Sequence, residues 1–209
     1  VCEGDDYWTD PSKLQKQVAL LESNRRFAGS AHQCLVIVDE KPARLFREKV
    51  PAEITTLDLI GGRLFHTASI VFRRPALDLL AAAHDVLSGD RLLNFCVSFL
   101  GPIHYSEDCM CAYRLHAAGM SSNASVAQMK MDLNSVGYLK TIDPAFPRYR
   151  YTSYVYATIA LCRAANWHQK IRFLALSFLY SFSYFPALRT RLRYVRGTSQ
   201  KRDDRLFDA

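Results

Sequence analysis

Three acidic side chains fall within four positions near the start of the chain, in the run EGDDYWTDP at residues 3–11. Carboxylates this close repel one another, so a fold that keeps them together usually offsets the repulsion with a cation or with hydrogen-bond donors. Hard carboxylate oxygens suit Mg²⁺ or Mn²⁺. A fully solvated acidic turn is the alternative, but the adjoining aromatic pair Tyr7-Trp8 and the helix start that follows favour a cation site.

A further acid, Asp90, follows Ser88-Gly89 at the start of an apolar run. A carboxylate in this position can cap a helix. The same placement aims it in a fixed direction, which suits a general base that must reach a substrate proton. Asp85 and the pair Glu107-Asp108 are the other acids that could take that role.

The elements expected to position these acids alternate between strand and helix. Asp10-Pro11 opens a helix with an acid at the N-cap and Pro at the first helical position, and Gly101-Pro102 ends another. Helices are predicted at 11–22, 76–87 and 90–100; strands are predicted at 35–38, 65–72, 103–105 and 110–115, the last two flanking a turn at 106–108. This alternation predicts an α/β fold.

The character of the chain changes to helix alone after a soft boundary near Asn123. The predicted helices span 126–139, 149–168 and 171–185, and prolines separate them. The net charge of +7 belongs to this part, since residues 148–209 hold twelve Lys/Arg and three Asp/Glu. Such a region suits an anionic surface, although a solvated basic helix face is the alternative. The basic residues match no nucleic-acid recognition motif, so no nucleic-acid partner is expected.

The apolar stretch at 173–188 is shorter than the roughly 20 residues that a membrane-spanning helix needs. Its aromatic rings and the arginines that follow predict an interfacial helix at a membrane surface, and a helix docked in the core is an equal alternative. The six cysteines form no C-x-x-C pair, which predicts reduced thiols in a cytosolic protein and no zinc ribbon or redox motif.

The run EGDDYWTDPSKLQKQVALLE closely resembles the acidic, D-x-D-type metal-binding turn and following helix of family 2 glycosyltransferases with the GT-A fold. Further matches follow in the same order: LDLIGG at 57–62, HTASIVFR at 66–73, GDRLL at 89–93 and AYRLHAAG at 112–119. The resemblance covers roughly residues 1–120, and its motifs are specific as an ordered set. Family members begin with a Rossmann-like β-α-β segment that holds the nucleotide base, and nothing in this chain matches it.

The resemblance therefore implies the C-terminal half of a GT-A domain, a Rossmann-like mixed sheet, at residues 1–123, and a helical basic region at 124–209. It implies a fragment that starts at the acidic turn. Asp6 and Asp5 match the carboxylates that hold a divalent cation and the ribose-diphosphate. His116 matches a histidine that closes the metal site in some GT-A enzymes, which would favour Mn²⁺ over Mg²⁺. Arg114 would contact a phosphate or anchor its strand.

Asp90 matches the family's catalytic base, and its place after the HTAS segment favours it over Asp85, Glu107 and Asp108. The implied activity is an inverting transfer of a sugar from a nucleotide diphosphate donor, UDP by family habit, to a hydroxyl of a glycan or lipid-linked acceptor. The expected location is the cytoplasm, with the tail able to rest on the inner face of the membrane. The alternative is an inactive fragment that binds a membrane surface and lacks the nucleotide-binding half.

Overall fold

The computed structural model describes residues 4–38, 40–80, 85–115 and 124–182. Over these ranges the chain is a mixed α/β structure with a six-stranded mixed sheet. The strands are β1 (Tyr7–Trp8), β2 (Gly29–Val38), β3 (Lys41–Leu45), β4 (Glu53–Ile54), β5 (Val71–Phe72) and β6 (Ile103–Leu115). The helices are α1 (Lys13–Ser23), α2 (Thr56–Leu59), α3 (Pro75–Leu80), α4 (Gly89–Leu100), α5 (Val126–Met131), α6 (Asn134–Ile142), α7 (Arg148–Ala160) and α8 (Trp167–Phe182), with a 3₁₀ turn at Thr67–Ser69.

The centre of the sheet is the parallel pair β2 and β6, which extends from Gly29 opposite Ile103 to Val38 opposite Leu115, with shifts of register around Gln33. The short strands β1 and β4 pair antiparallel with the outer edge of β6. Strands β3 and β5 pair antiparallel with the outer edge of β2. The carboxyl ends of β2 and β6 therefore meet at one edge of the sheet, the place where open α/β sheets bind their ligands.

Helix α4 covers the sheet with an apolar face, and its middle residues 92–97 are all buried. Gly101 ends the helix with φ at +152°, and a Cβ at this position would lie 2.6 Å from the Arg26 carbonyl oxygen. No other residue type fits that turn without strain. The predicted helix at 90–100 and its Gly-Pro stop are confirmed.

The predicted turn at 106–108 is wrong, because β6 is one continuous strand from Ile103 to Leu115. Strand β2 pairs with β6 on both sides of Glu107 and Asp108, and shifts of register around Gln33 accommodate these two unpaired residues. The predicted strand at 65–72 is reduced to Val71–Phe72. The residues before it form the 3₁₀ turn, whose start is capped by the His66 side chain.

Two predicted helices differ from those in the structure. For the helix predicted at 76–87, the structure describes helix over Pro75–Leu80. Asp85 has a φ of +56°, which is incompatible with a right-handed helix at that residue. The helix predicted at 126–139 is divided into α5 and α6. Asp132 lies at the division, where its carboxylate accepts hydrogen bonds from Ser88.

The predicted helix at 149–168 ends at Ala160, and α8 begins at Trp167, four residues before the predicted start. These helices share one hydrophobic core with the sheet layer. Phe95 of α4 contacts the rings of Phe146 and Tyr151, with centroid distances of 5.3 and 5.1 Å. The division at residue 123 stays a prediction, because residues 116–123 lie outside the described ranges.

Candidate active site at the carboxyl end of the central strands

The acidic turn docks on the last residues of β6. Strand β1 follows it directly and pairs Tyr7 with Ala112. The backbone N–H of Arg114 donates to Asp6 Oδ1 at 3.2 Å, and Arg114 Nε donates to the carbonyl oxygen of Asp5. The Arg114 guanidinium also lies 5.7 Å from the centre of the Tyr7 ring. Arg114 therefore anchors the acidic turn to its strand, which is one of its two predicted roles; a contact with phosphate stays a prediction.

The Asp6 carboxylate is buried and faces His66, with 3.6 Å between Asp6 Oδ2 and His66 Nδ1. Burial lowers the pKa of His66 to about 4, and the charge of Arg63 acts in the same direction. The imidazole is thus neutral at pH 7. Since His66 Nδ1 accepts a hydrogen bond from the Ala68 N–H at 3.3 Å, the ring proton lies on Nε2. The contact between Asp6 and His66 is therefore not an ion pair at neutral pH.

Aromatic rings hold the segment 66–69 against the acidic turn and β6. The His66 ring stacks on Tyr113 with 4.2 Å between centroids, and Phe46 packs edge-on against His66 at 5.5 Å. The indole N–H of Trp8 donates to the Ala68 carbonyl oxygen at 3.1 Å. These contacts fix the direction of His66 and of the residue that follows it.

Asp90 lies on the other side of the same segment, at the first turn of α4. Its Oδ1 accepts a hydrogen bond from the Arg91 N–H at 2.8 Å. Its Oδ2 lies 3.5 Å from Thr67 Oγ1 and 3.5 Å from a guanidinium nitrogen of Arg63. The Asp90 side chain is 22% exposed, so its carboxylate is accessible to solvent. The consecutive residues His66 and Thr67 thus contact the acidic turn and Asp90, respectively.

The electrostatics agree with this convergence. The carboxylates of Asp90 and Asp5 act to raise the pKa of His66, although burial and Arg63 outweigh them. Both acids therefore lie close enough to act on one imidazole. The arrangement brings the acidic turn and a partly exposed carboxylate to the same 66–67 segment.

The structure brings Asp5, Asp6 and Arg114 together. Asp90 contacts Thr67, the residue next to the His66 that faces Asp6. His116 lies outside the described residues, so a metal shared by Asp6 and His116 stays a prediction. Within the described ranges, no group of three or more His, Cys, Asp or Glu side chains is arranged to hold a metal ion. The carboxylates of Asp5 and Asp6 have the chemistry that Mg²⁺ or Mn²⁺ requires, but they need further ligands to complete a site.

The rival bases lie elsewhere. Glu107 and Asp108 are exposed in the first half of β6. Asp108 precedes Arg114 by six positions, which is about 20 Å along a strand at 3.3 Å per residue. Its charge acts on Lys16 and His32, next to α1, and it is not among the influences on His66. Of these acids, Asp90 alone contacts the 66–67 segment by a described hydrogen bond or ion pair.

Sequence reasoning missed Arg63, His66 and Thr67 as members of the site. The HTAS run was noted, but no side chain in it was given a role. The available signal was the presence of a His and a Thr directly before a short β-branched run, where an ordinary strand start needs neither. Asp132 was missed as well, because only the fold brings α5 to the start of α4.

The buried neutral state of His66 predicts a loss of stability in acid. Its folded-state pKa of about 4 is below the unfolded value near 6.5, so protons bind the unfolded chain first as the pH falls. The contribution of neutral His66 to the free energy of unfolding is therefore complete above pH 6.5. It is lost progressively as the pH falls to 4, by about 3 kcal/mol at most. Urea unfolding of the wild type and of His66→Gln between pH 7 and 4 measures this difference. Parallel pH dependences of the two proteins would contradict it.

No family model matches the chain. It is similar to an uncharacterised protein of Mycobacterium bovis and to uncharacterised proteins from two strains of Mycobacterium tuberculosis. Each is 32% identical over 137 residues, which cover 62% of this chain and 38% of the relative. The matched part thus spans well under half the length of these curated relatives.

Proposed function

We propose that the chain carries the catalytic half of an inverting glycosyltransferase, which moves a sugar from a nucleotide diphosphate donor to a hydroxyl of a glycan or lipid-linked acceptor. UDP is the proposed carrier. The observation that supports this most is the contact of Asp6 with His66 and of Asp90 with Thr67, at the carboxyl end of the central strands. It joins the acidic turn and the proposed base in one site.

Asp6 and Asp5 would hold the divalent cation. A cation held there would supply Lewis-acid neutralisation of the leaving diphosphate. The protein's own part is to fix the acidic turn against β6, and the hydrogen bonds from Arg114 to Asp5 and Asp6 do this. The neutral His66 beside Asp6 leaves the negative charge of the turn available to a cation, because an uncharged ring does not neutralise it.

Asp90 would take the proton from the acceptor hydroxyl as that oxygen attacks the anomeric carbon. The new carbon–oxygen bond forms while the bond from that carbon to the diphosphate oxygen breaks, and the nucleoside diphosphate leaves with the electron pair. Attack from the face opposite the leaving group inverts the anomeric carbon. The Arg91 N–H, Thr67 and Arg63 hold the Asp90 carboxylate in place for this step.

Binding of UDP tests the donor assignment separately from the chemistry. The protein is produced together with any coding sequence that precedes Val1 in its gene. Calorimetric titration of this protein with UDP is expected to show binding that requires Mn²⁺ or Mg²⁺. CDP and GDP serve as controls for the carrier. Binding of UDP that is unaffected by EDTA would contradict a cation-dependent donor site.

Asp132 positions the start of α4 and therefore Asp90. Its buried carboxylate accepts hydrogen bonds from Ser88 N at 2.8 Å and Ser88 Oγ at 2.7 Å, two residues before Asp90. Asp132→Asn retains the shape but loses one acceptor. We expect kcat to fall about tenfold, the worth of a charged hydrogen bond near 1.4 kcal/mol, with an unchanged KM for the donor.

Asp143→Asn is the matched control, because Asp143 accepts a comparable hydrogen bond from Ala145 N at 2.8 Å, in an exposed turn. It should leave kcat as in the wild type. A fall in stability for Asp132→Asn with no change in kcat would show a structural role alone.

A further inference from the structure

Helix α8 exposes its large apolar side chains. These are Trp167 (71% exposed), Ile171 (50%), Leu174 (52%), Phe178 (50%) and Leu179 (63%). A surface helix of a globular protein usually turns such residues inward and its polar residues outward. Here five large apolar side chains are exposed, whereas Ser177 and Ser181 are buried together with Phe173.

The side of α8 that packs on α7 is lined by hydroxyl groups. Ser177 and Ser181 are buried, and both contact Ser153 of α7. Ser177 Oγ donates to the Ser153 carbonyl oxygen at 2.8 Å, and the hydroxyl oxygens of Ser153 and Ser181 lie 2.7 Å apart. Phe173 is buried among these contacts, against the Tyr156 ring at 6.0 Å. Rotating α8 to hide its apolar side would leave these hydroxyl groups without their partners, so the exposed stripe is a stable feature of the packing.

The exposed side chains form a continuous stripe. Trp167, Ile171, Leu174 and Phe178 follow one another at spacings of four, three and four residues, which places them within about 60° of arc on an α-helix. On the same helical geometry Lys170 lies about 40° from one edge of the stripe and Arg172 about 100° from the other. An apolar stripe that carries Trp and Phe between basic flanks is the pattern of helices that lie in the plane of a membrane surface.

The charge of the C-terminal part of the sequence favours an anionic partner. Residues 148–182 contain five Lys/Arg and no Asp or Glu, and residues 183–209 add seven Lys/Arg against three Asp. An apolar surface within such a basic region fits an anionic lipid headgroup layer above an acyl core. None of the described helices has the length and apolar character to cross a bilayer.

We propose that the apolar stripe of α8 docks on an anionic lipid bilayer, with the helix lying in the plane of the surface. Phe173, which the sequence placed among the membrane-facing rings, belongs instead to the core. Docking through α8 does not depend on the proposed transferase activity. Residues 183–188 of the predicted apolar stretch lie outside the described ranges.

Cosedimentation with vesicles tests the stripe. The 209-residue chain is expected to bind vesicles of phosphatidylcholine and phosphatidylglycerol in equal parts, and to bind pure phosphatidylcholine more weakly. The variant Ile171→Ser/Leu174→Ser/Phe178→Ser should lose at least about tenfold in partitioning, since apolar area drives insertion. The control Leu14→Ser/Val18→Ser/Leu57→Ser changes side chains of similar exposure, 44%, 42% and 49%, and should bind like the wild type.

Fluorescence gives a second readout that does not need the triple variant to fold. The chain has two tryptophans, so Trp8→Phe leaves Trp167 as the only indole. Its emission should shift to the blue with anionic vesicles and should be quenched by lipids brominated on the acyl chain. Lys170→Glu/Arg172→Glu should weaken binding and reduce its salt dependence.

Three results would overturn the proposal. The first is no binding to anionic vesicles at low salt. The second is equal binding by the wild type and a folded stripe variant, which would assign binding to the basic residues alone. The third combines two findings: vesicles leave the Trp167 emission unchanged, and the wild type forms a dimer that the stripe substitutions dissociate. Together these findings would assign the stripe to contact with a second copy of the chain. None of these results bears on sugar transfer, which the UDP titration tests separately.

Discussion

Asp90→Asn is expected to lower the rate of sugar transfer by about 10² to 10⁴-fold, the usual contribution of a general base, while UDP and metal binding persist. Asn retains the hydrogen-bond acceptor that the Arg91 N–H uses, so the start of α4 should keep its geometry. It cannot accept the proton of the acceptor hydroxyl. Steady-state rates at saturating donor, together with a UDP titration of the same variant, separate lost chemistry from lost binding.

Asp108→Asn is the control for this substitution, because Asp108 is an exposed acid in the first half of β6, six positions before Arg114. Its rate should match that of the wild type. Near-normal turnover by Asp90→Asn, with a large loss in Glu107→Gln or Asp108→Asn, would transfer the role of base to that pair.

Asp6→Asn is expected to reduce transfer by about 10³-fold or more, because metal neutralisation of a leaving diphosphate is worth several kcal/mol and each 1.4 kcal/mol is tenfold. The amide oxygen of Asn can still accept from the Arg114 N–H, so the acidic turn should remain docked. The lost negative charge should weaken the cation site. Rates measured against Mn²⁺ concentration should show a much higher half-saturating concentration for the variant.

Asp10→Asn is the matched control, as Asp10 follows the same turn but pairs with Lys16 at 2.7 Å on the surface. It should keep the wild-type metal dependence. An Asp6→Asn protein that transfers sugar with normal Mn²⁺ dependence would remove Asp6 from the metal site.

The sequence predicted the parts of the fold that depend on local signals. The apolar run of α4 with its Gly-Pro stop and the apolar end of β2 are present in the structure. The first helix is present too, but it begins at Lys13, so the predicted N-cap at Asp10 and first helical position at Pro11 are wrong; the Asp10 carboxylate accepts from the Ser12 N–H in the turn before the helix. Periodicity and capping are properties of neighbouring residues, so one sequence contains them. The continuity of β6 could not be predicted this way, because it depends on the distant strand β2, which pairs with Ser106 and Cys109 on either side of Glu107 and Asp108.

The candidate site was predicted in part for the same reason. The acidic turn and Asp90 were found from local runs and from an ordered resemblance. Their connection through His66 and Thr67 depends on side chains 60 residues from the turn and 23 residues from Asp90, which no local pattern relates. The hydrogen bond of Trp8 to Ala68 spans a similar separation.

The exposed stripe of α8 shows the converse limit. Sequence alone could not decide whether the aromatic residues of this region face the core or a surface. The serine contacts between α7 and α8 decide it for the described residues, since they place Phe173 inside and Phe178 on the half-exposed side. Packing of small polar side chains is a property of two helices together, and it appears only once both are placed.

The central claim is tested most directly by the stereochemistry of transfer. Protein with any native upstream sequence would be supplied with Mn²⁺, a set of UDP-sugars, and hydroxyl acceptors or water, and the anomeric configuration of the first-formed product would be read by NMR. We predict a UDP-sugar that is consumed only with divalent cation, and a product inverted at the anomeric carbon. Two results would contradict the assignment of Asp90 as the base of an inverting glycosyltransferase. One is a protein that binds UDP but consumes none of the sugar nucleotides, and the other is a product that retains the donor configuration.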